Sequence, residues 1–225
     1  MAGGVIKAAA VLAGLAMLGV GGWSVATGWH PAAARYPLQG VDLGPNPGAV
    51  EWGTVRARGA DFAYLTATVG ATRRDPGFEA NWAALPEAGL RRGAVHRYSL
   101  CQRASDQANA FNTFVPRTKD SLPAAIDISF ADDCPARPDR AVVIDEVARF
   151  IAMVEAHTRK PVLVRISKPV EAAYHLSAAI DRPVWAMANL FAPSYAARPW
   201  RLWRATDFRR VDGIDGAVNW DVVAP

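Results

Sequence analysis

The feature that most constrains this chain is an alternation of short strand-like runs with helical segments. Strand-like runs fall at residues 40–43 (GVDL), 61–66 (DFAYLT), 93–98 (GAVHRY), 123–129 (PAAIDIS), 161–166 (PVLVRI), 183–187 (PVWAM), 200–205 (WRLWRA) and near 218–222. Between them, residues 49–58, 78–88, 106–114, 139–158 and 170–179 carry helical patterning. The clearest helix is 139–158, where Val143, Val147, Ile151 and Val154 recur on one face. Proline and glycine punctuate most junctions. Strands alternating with helices predict parallel β-α-β units. Eight strand candidates within about 190 residues predict an irregular (β/α)8-type, TIM-like barrel, smaller than the usual ~250 residues. The later connections are too short for full helices. In such a barrel chemistry gathers at the carboxyl ends of the strands, which selects Asp42, His96, Asp127, Ser129, Asn219 and Asp221.

Ahead of the barrel lies a run without charge, from Ala8 to Trp29. As a helix its 22 residues would span about 33 Å, enough for a bilayer core of ~30 Å. Trp23 and Trp29 sit toward one end, as interfacial rings do, and Lys7 precedes the run. The expectation is one transmembrane helix: residues 1–34 as anchor and linker, and residues 35–225 as the barrel. A cleaved signal peptide ending at Ala32-Ala33-Ala34 and a buried apolar helix are the alternatives. The first two readings export the barrel. They place it in the periplasm on an inner-membrane anchor, or secrete it after cleavage.

Residues 35–225 hold 24 basic and 21 acidic side chains, a net +3, which excludes a strongly basic nucleic-acid binder. Two cysteines are too few for a disulfide scaffold, and no His or second Cys lies at metal-ligand spacing, so neither metal nor cofactor is expected.

The order of several short motifs carries a resemblance. Gly40-Val41-Asp42-Leu43 opens the barrel, Glu51-Trp52 follows, and Thr66-Ala67-Thr68-Val69-Gly70 ends the second strand. Asp75-Pro76-Gly77-Phe78 with Asn81, Gly93-Ala94-Val95-His96, and Leu122 to Asp127 come next. Trp200–Trp203 and Gly213-Ile214-Asp215-Gly216 close the series. Together they resemble glycoside hydrolase family 25, the lysozymes that cleave the muramic acid linkage of peptidoglycan. The likeness covers about residues 40–223. Tyr98 to Cys101 and Phe130 to Pro138 further resemble a membrane-anchored proteobacterial branch. That likeness, with both cysteines following strands on one rim, implies a Cys101–Cys134 disulfide in an oxidising compartment; two free buried thiols are the alternative.

The resemblance implies a fourth-strand Asp-x-Glu whose carboxylates share a face, with the Glu as general acid. Here the tripeptide is Asp127-Ile128-Ser129, and a serine hydroxyl is a poor proton donor near neutral pH. Other positions depart as well. Thr66 stands for the family's Lys, Val69 for its Glu and Val95 for its Tyr, while Arg204 and Ala205 replace Gln-Tyr. Asn219 and Asp221 are exchanged relative to the terminal Asp and Asn.

The expected site therefore keeps Asp42 and Asp127 as catalytic-type carboxylates, with Asp221 or loop residues Asp132 and Asp133 as substitutes. His96, Trp185, Trp203 and Arg204 are the candidate ligand-binding residues. Arg97, Arg165 and Arg204 stand near strand ends, as an anion-binding rim or as solvated side chains. The expected function is a lysozyme-like domain that associates with peptidoglycan strands or a cell-wall protein and is impaired as a muramidase. An active muramidase with displaced acids and a protein-interaction scaffold are the alternatives.

Overall fold

The computed structural model describes residues 17, 19, 21–131 and 134–225. Eight strands close into a barrel: β1 (Gln39–Leu43), β2 (Phe62–Val69), β4 (Arg91–Arg97), β5 (Ala125–Ile128), β6 (Leu163–Ile166), β7 (Val184–Met187), β8 (Trp200–Arg209) and β9 (Val218–Val223). The ring runs β1-β9-β8-β7-β6-β5-β4-β2 and is closed by β1–β2 pairing. A two-residue strand, β3 (Arg73–Arg74), folds back antiparallel onto the end of β2.

Among the described residues after β1, six helices lie outside the barrel: α1 (Trp52–Ala57), α2 (Phe78–Glu87), α3 (Ala104–Phe114), α4 (Arg140–Thr158), α5 (Lys168–Tyr174) and α6 (Leu176–Ala179). The long helix α4 forms where its periodicity predicts it, and buries Val143, Val147, Phe150, Ile151 and Val154. The segment expected as a single helix at 170–179 is two helices, parted at His175 by a left-handed backbone with φ 46°.

The expectation of a (β/α)8 barrel needs correction at its last third. β9 runs antiparallel to both β1 and β8. Only residues 210–217 join β8 to β9, and so short a link returns the chain beside itself in reverse; a parallel crossover needs a dozen residues or more. The link from β7 to β8 also lacks a helix, and holds Pro193 and Pro199. The result is a closed eight-stranded barrel of mixed α/β content rather than a regular TIM barrel.

Where helices are missing, the chain ahead of β1 supplies the outer layer. Tyr36 packs against Trp200 and Trp203, and His30 stands edge-on to Trp220. The Arg210 backbone N–H donates to Thr27 O at 2.8 Å, and the Gln39 side-chain amide donates to Pro31 O at 3.0 Å.

The charge-free run from Ala8 to Trp29 lies outside the described residues as far as residue 20, apart from 17 and 19. Residues 21–28 are helical. Among the described residues no helix is long and apolar enough to cross a membrane. That finding overturns the expected single-pass helix, and with it the inner-membrane placement of the barrel. After residue 28 the chain leaves the helix and lies against the barrel wall.

The barrel interior is packed rather than hollow. Phe62, Tyr64, Val95, Ala125, Leu163, Trp185 and Leu202 fill it. Two glycines make room for the rings. A Cβ on Gly40 would sit 2.2 Å from Phe62 O, and one on Gly93 would sit 2.2 Å from Tyr64 Cε1. The larger apolar cluster lies between strands and helices. With the centre filled, a ligand has access only from the mouth.

Candidate functional site

At the carboxyl ends of β2, β4 and β5 the mouth opens into a cleft of about 510 Å³. Asp127 and Ser129 line it, together with Arg97 from the end of β4 and Arg73 and Arg74 from β3. Asp127 and Ser129 share a side because alternate residues of an extended chain do. The Ser129 hydroxyl donates to Asp127 Oδ1 at 3.0 Å.

Asp127 and Asp42 meet through one arginine. Arg165 is the register partner of Asp127 on the adjacent strand β6. Its Nη2 donates to Asp127 Oδ2 at 2.8 Å and its Nη1 to Asp42 Oδ1 at 2.7 Å. From β8, Arg204 donates to the other Asp42 oxygen through Nε at 3.0 Å, and through Nη2 as well. The Arg165 guanidinium also lies over the Trp185 ring, 4.7 Å from its centroid. The Asp42 and Arg165 side chains are only 1% and 3% exposed. Two guanidiniums thus face two carboxylates in a largely buried cluster.

Burial by itself would raise the Asp42 carboxyl, but the charges and hydrogen bonds of Arg165 and Arg204 outweigh it and hold it below its ordinary value. Asp127 is likewise raised by burial and lowered further by Arg165, with Arg204 and Arg97 adding to the effect. Both are therefore ionised at neutral pH. Asp221, facing inward from β9 beside Asp42, behaves the opposite way. Burial and the Asp42 charge push its carboxyl well above the ordinary range. Its Oδ1 accepts from Trp185 Nε1 at 2.7 Å, and its Oδ2 has no hydrogen-bond partner among the described residues.

The structure separates the predicted site residues into three places. Asp127 and Ser129 line the cleft; Asp42, Arg204, Asp221 and Trp185 lie inside the barrel. Asn219 pairs with Asp42 across β1–β9, and its amide donates to the Asp42 backbone O at 3.2 Å. His96 and Trp203 face outward into the helix-side layer. His96 is fully buried, stacked on Phe150, and hydrogen-bonded to Thr68 at 2.7 Å and Gln107 at 3.1 Å. Burial pushes its imidazole down to about 4. Trp203 donates to Ala188 O and packs on Tyr36. His96, Trp185 and Trp203 are thus buried away from the cleft, for each occupies a strand position or depth that the mouth does not reach. Asp132 and Asp133 lie outside the described residues.

Cys101 and Cys134 form a disulfide with a Cα–Cα distance of 5.8 Å, joining the loops after β4 and β5 beside the cleft.

Sequence reasoning missed Arg73 and Arg74. The signal was a basic dipeptide between the second strand and Asp75-Pro76, but only the return of β3 onto β2 brings it to the mouth. Asp75 holds that turn by accepting from the Asn46 and Gly77 backbone N–H groups.

Comparison with known proteins fits this geometry. The family model "Glycosyl hydrolases family 25" matches residues 41–214. The chain belongs to glycosyl hydrolase family 25. The Escherichia coli K12 protein YegX, itself uncharacterized, is 31% identical over 197 residues, which span 84% of this chain and 70% of YegX. Among solved structures, a family 25 glycosyl hydrolase from Bacillus anthracis superposes with a TM-score of 0.80 at 27% identity, covering 87% of this chain and 93% of that one. A bacterial lysozyme from Streptomyces coelicolor, at 23% identity, shares the fold with a TM-score of 0.76, over 84% of this chain and 92% of its own. The reversed β9 and the helix-poor last third therefore sit within a family 25 fold.

Proposed function

We propose that this chain is a lysozyme-like, peptidoglycan-binding member of family 25 that is impaired as a muramidase. One observation carries the reading: Asp127, the carboxylate that shares the cleft with Ser129, is locked in ion pairs with Arg165 and Arg97. Glycoside hydrolysis needs a carboxylic acid that arrives protonated and gives its proton to the leaving oxygen. Asp127 is held ionised by Arg165, and the position two residues on is Ser129, whose hydroxyl cannot take that role. Asp42 is ion-paired to two arginines and buried. Among the described residues Asp221 is the one carboxyl with a raised value, but it is fully buried against Trp185 rather than in the cleft. Among the described residues no cleft carboxyl is suited to protonate a leaving group. Loss of a general acid lowers rates by ~10²–10⁴-fold. Residues 35–225 form the barrel unit in this reading, with residues 27–34 packed on its wall.

The test is lytic activity of the full chain on peptidoglycan beside its Ser129→Glu variant. The reading expects little lysis by the unmodified chain and a gain in the variant. Brisk lysis by the unmodified chain contradicts it and returns Asp132 and Asp133 as displaced acids. Retention of the chain on insoluble peptidoglycan tests the binding half. No retention contradicts that half and favours a protein-interaction scaffold.

A further inference from the structure

Arg165 and Arg204 both hold Asp42, but they are built in differently. Arg165 is 3% exposed, bridges Asp42 to Asp127 and lies over the Trp185 ring, so it belongs to the packed interior. Arg204 is 16% exposed, and Asp42 is the one carboxylate it pairs with among the described residues. Its Nε and Nη2 both donate to Asp42 Oδ2, while Arg165 holds Oδ1. Asp42 keeps a charged partner without it.

Charge makes Arg204 the odd member of the cluster. Asp42 and Asp127 bring two negative charges and Arg165 one positive, and Arg204 adds the positive charge that balances them. Its field extends past Asp42. Against the rise that burial imposes, it helps Arg165 to lower the Asp127 carboxyl in the cleft. Where burial and Asp42 push Asp221 upward, Arg204, its register partner on β8, opposes them. Arg97, 3.8 Å from Asp127 and exposed at the rim, acts on the cleft whether or not Arg204 is present. Cleavage of a glycosidic bond asks two things of such a cluster: negative charge facing an oxocarbenium-like centre, and a carboxyl that holds a proton near neutral pH. Without Arg204 the cluster carries either one uncompensated negative charge or one more proton, and each supplies one of the two.

We propose that Arg204 is a silencing residue: by pairing with Asp42 it neutralises the buried cluster, and so keeps the cleft from supporting a cationic transition state. It acts through Asp42 and Asp127, as a positioning residue rather than a catalytic one. The inference rests on the impaired-muramidase reading above and adds a second cause of impairment, separate from Ser129. Removing one unit charge from a largely buried cluster is worth on the order of tenfold in rate at the cleft.

The experiment compares full chains carrying Ser129→Glu alone, with Arg204→Gln, and with Arg204→Lys, beside the unmodified chain. Gln keeps an amide donor without the charge, and Lys keeps the charge. Lysis of peptidoglycan is followed between about pH 4 and 7, and thermal melts confirm folding. The chain with Gln is expected to lyse about tenfold faster than Ser129→Glu alone, with its pH optimum moved upward, while the chain with Lys keeps the rate and optimum of Ser129→Glu. The carboxyl 13C titrations of Asp42 and Asp127 move upward with Gln and stay with Lys. A Gln chain no faster than Ser129→Glu, matched by the Lys chain, unable to fold, or with both carboxyls unmoved overturns the silencing role. Where Ser129→Glu alone still lyses, the impaired-muramidase reading stands without it. Brisk lysis by the unmodified chain, or none by any chain, overturns that reading and this inference together.

Discussion

Asp42 and Asp221 sit on neighbouring strands inside one barrel, both almost wholly buried, yet their carboxyls are shifted in opposite directions. Asp42 touches two guanidiniums, while Asp221 touches an indole N–H and has a charged Asp42 nearby. Burial penalises the ionised form of each, and only the arginines reverse the outcome. The contrast shows how this barrel decides where a proton resides. Its arginines favour the ionised form of the carboxylates that approach the mouth, and its apolar depth favours the protonated form of a carboxyl buried away from the cleft.

The most severe way to break the contrast is Arg165→Met. It strips the shared partner from Asp42 and Asp127, and leaving buried charge unpaired costs about 3–5 kcal/mol. For a domain of this size that lowers Tm by roughly 6–20 °C. Adding Asp127→Asn to it restores part of the loss. If thermal melts find Arg165→Met as stable as the parent, the ion cluster does not hold the interior together.

Asp42→Asn comes next. It strands Arg204 and half of Arg165, and is expected to cost about 2–4 kcal/mol, read as a shift in chemical denaturation midpoint. Asp221→Asn removes a carboxyl whose ionised form is penalised by burial and by Asp42, and is expected to cost less than about 1 kcal/mol near pH 7. Equal losses from the two substitutions would erase the distinction between the two carboxyls.

The pH dependence has opposite signs. Asp42 and Asp127, lowered in the folded state, contribute stability that is present above the unfolded value near 3.9 and lost as pH falls through their folded values. Asp221, raised in the folded state, contributes stability that is present below about 3.9 and lost as pH rises toward its folded value. Asp221→Asn is therefore expected to be less harmful at pH 7 than at pH 4. Denaturation of parent and variant at the two pH values reads this directly.

Much of this was legible in the sequence, and the misses share a cause. The order of strands followed from alternation, and α4 from its apolar period. Asp42 and Asp127 stood out because chemistry collects at strand ends. Face assignment was harder. Residues 203 and 204 are consecutive on one strand, so Trp203 and Arg204 point to opposite sides, and both cannot line one mouth. The same parity sends His96 to the helices when Arg97 faces the cleft. Register fixes which member of each pair turns inward, and a single sequence does not state register. The reversal of β9 follows from a short link, but the packing of residues 27–36 over the bare strands depends on tertiary contacts that no local pattern carries.

The central claim is that the cleft carboxylate carries no proton to donate. Its most direct measurement is the carboxyl 13C chemical shift of Asp127 followed by pH titration of the labelled chain, with Asp127→Asn assigning the signal. The account predicts a carboxylate throughout the neutral range that protonates only below its ordinary value near 3.8. A midpoint near pH 6, the mark of a carboxyl poised as a general acid, would contradict it.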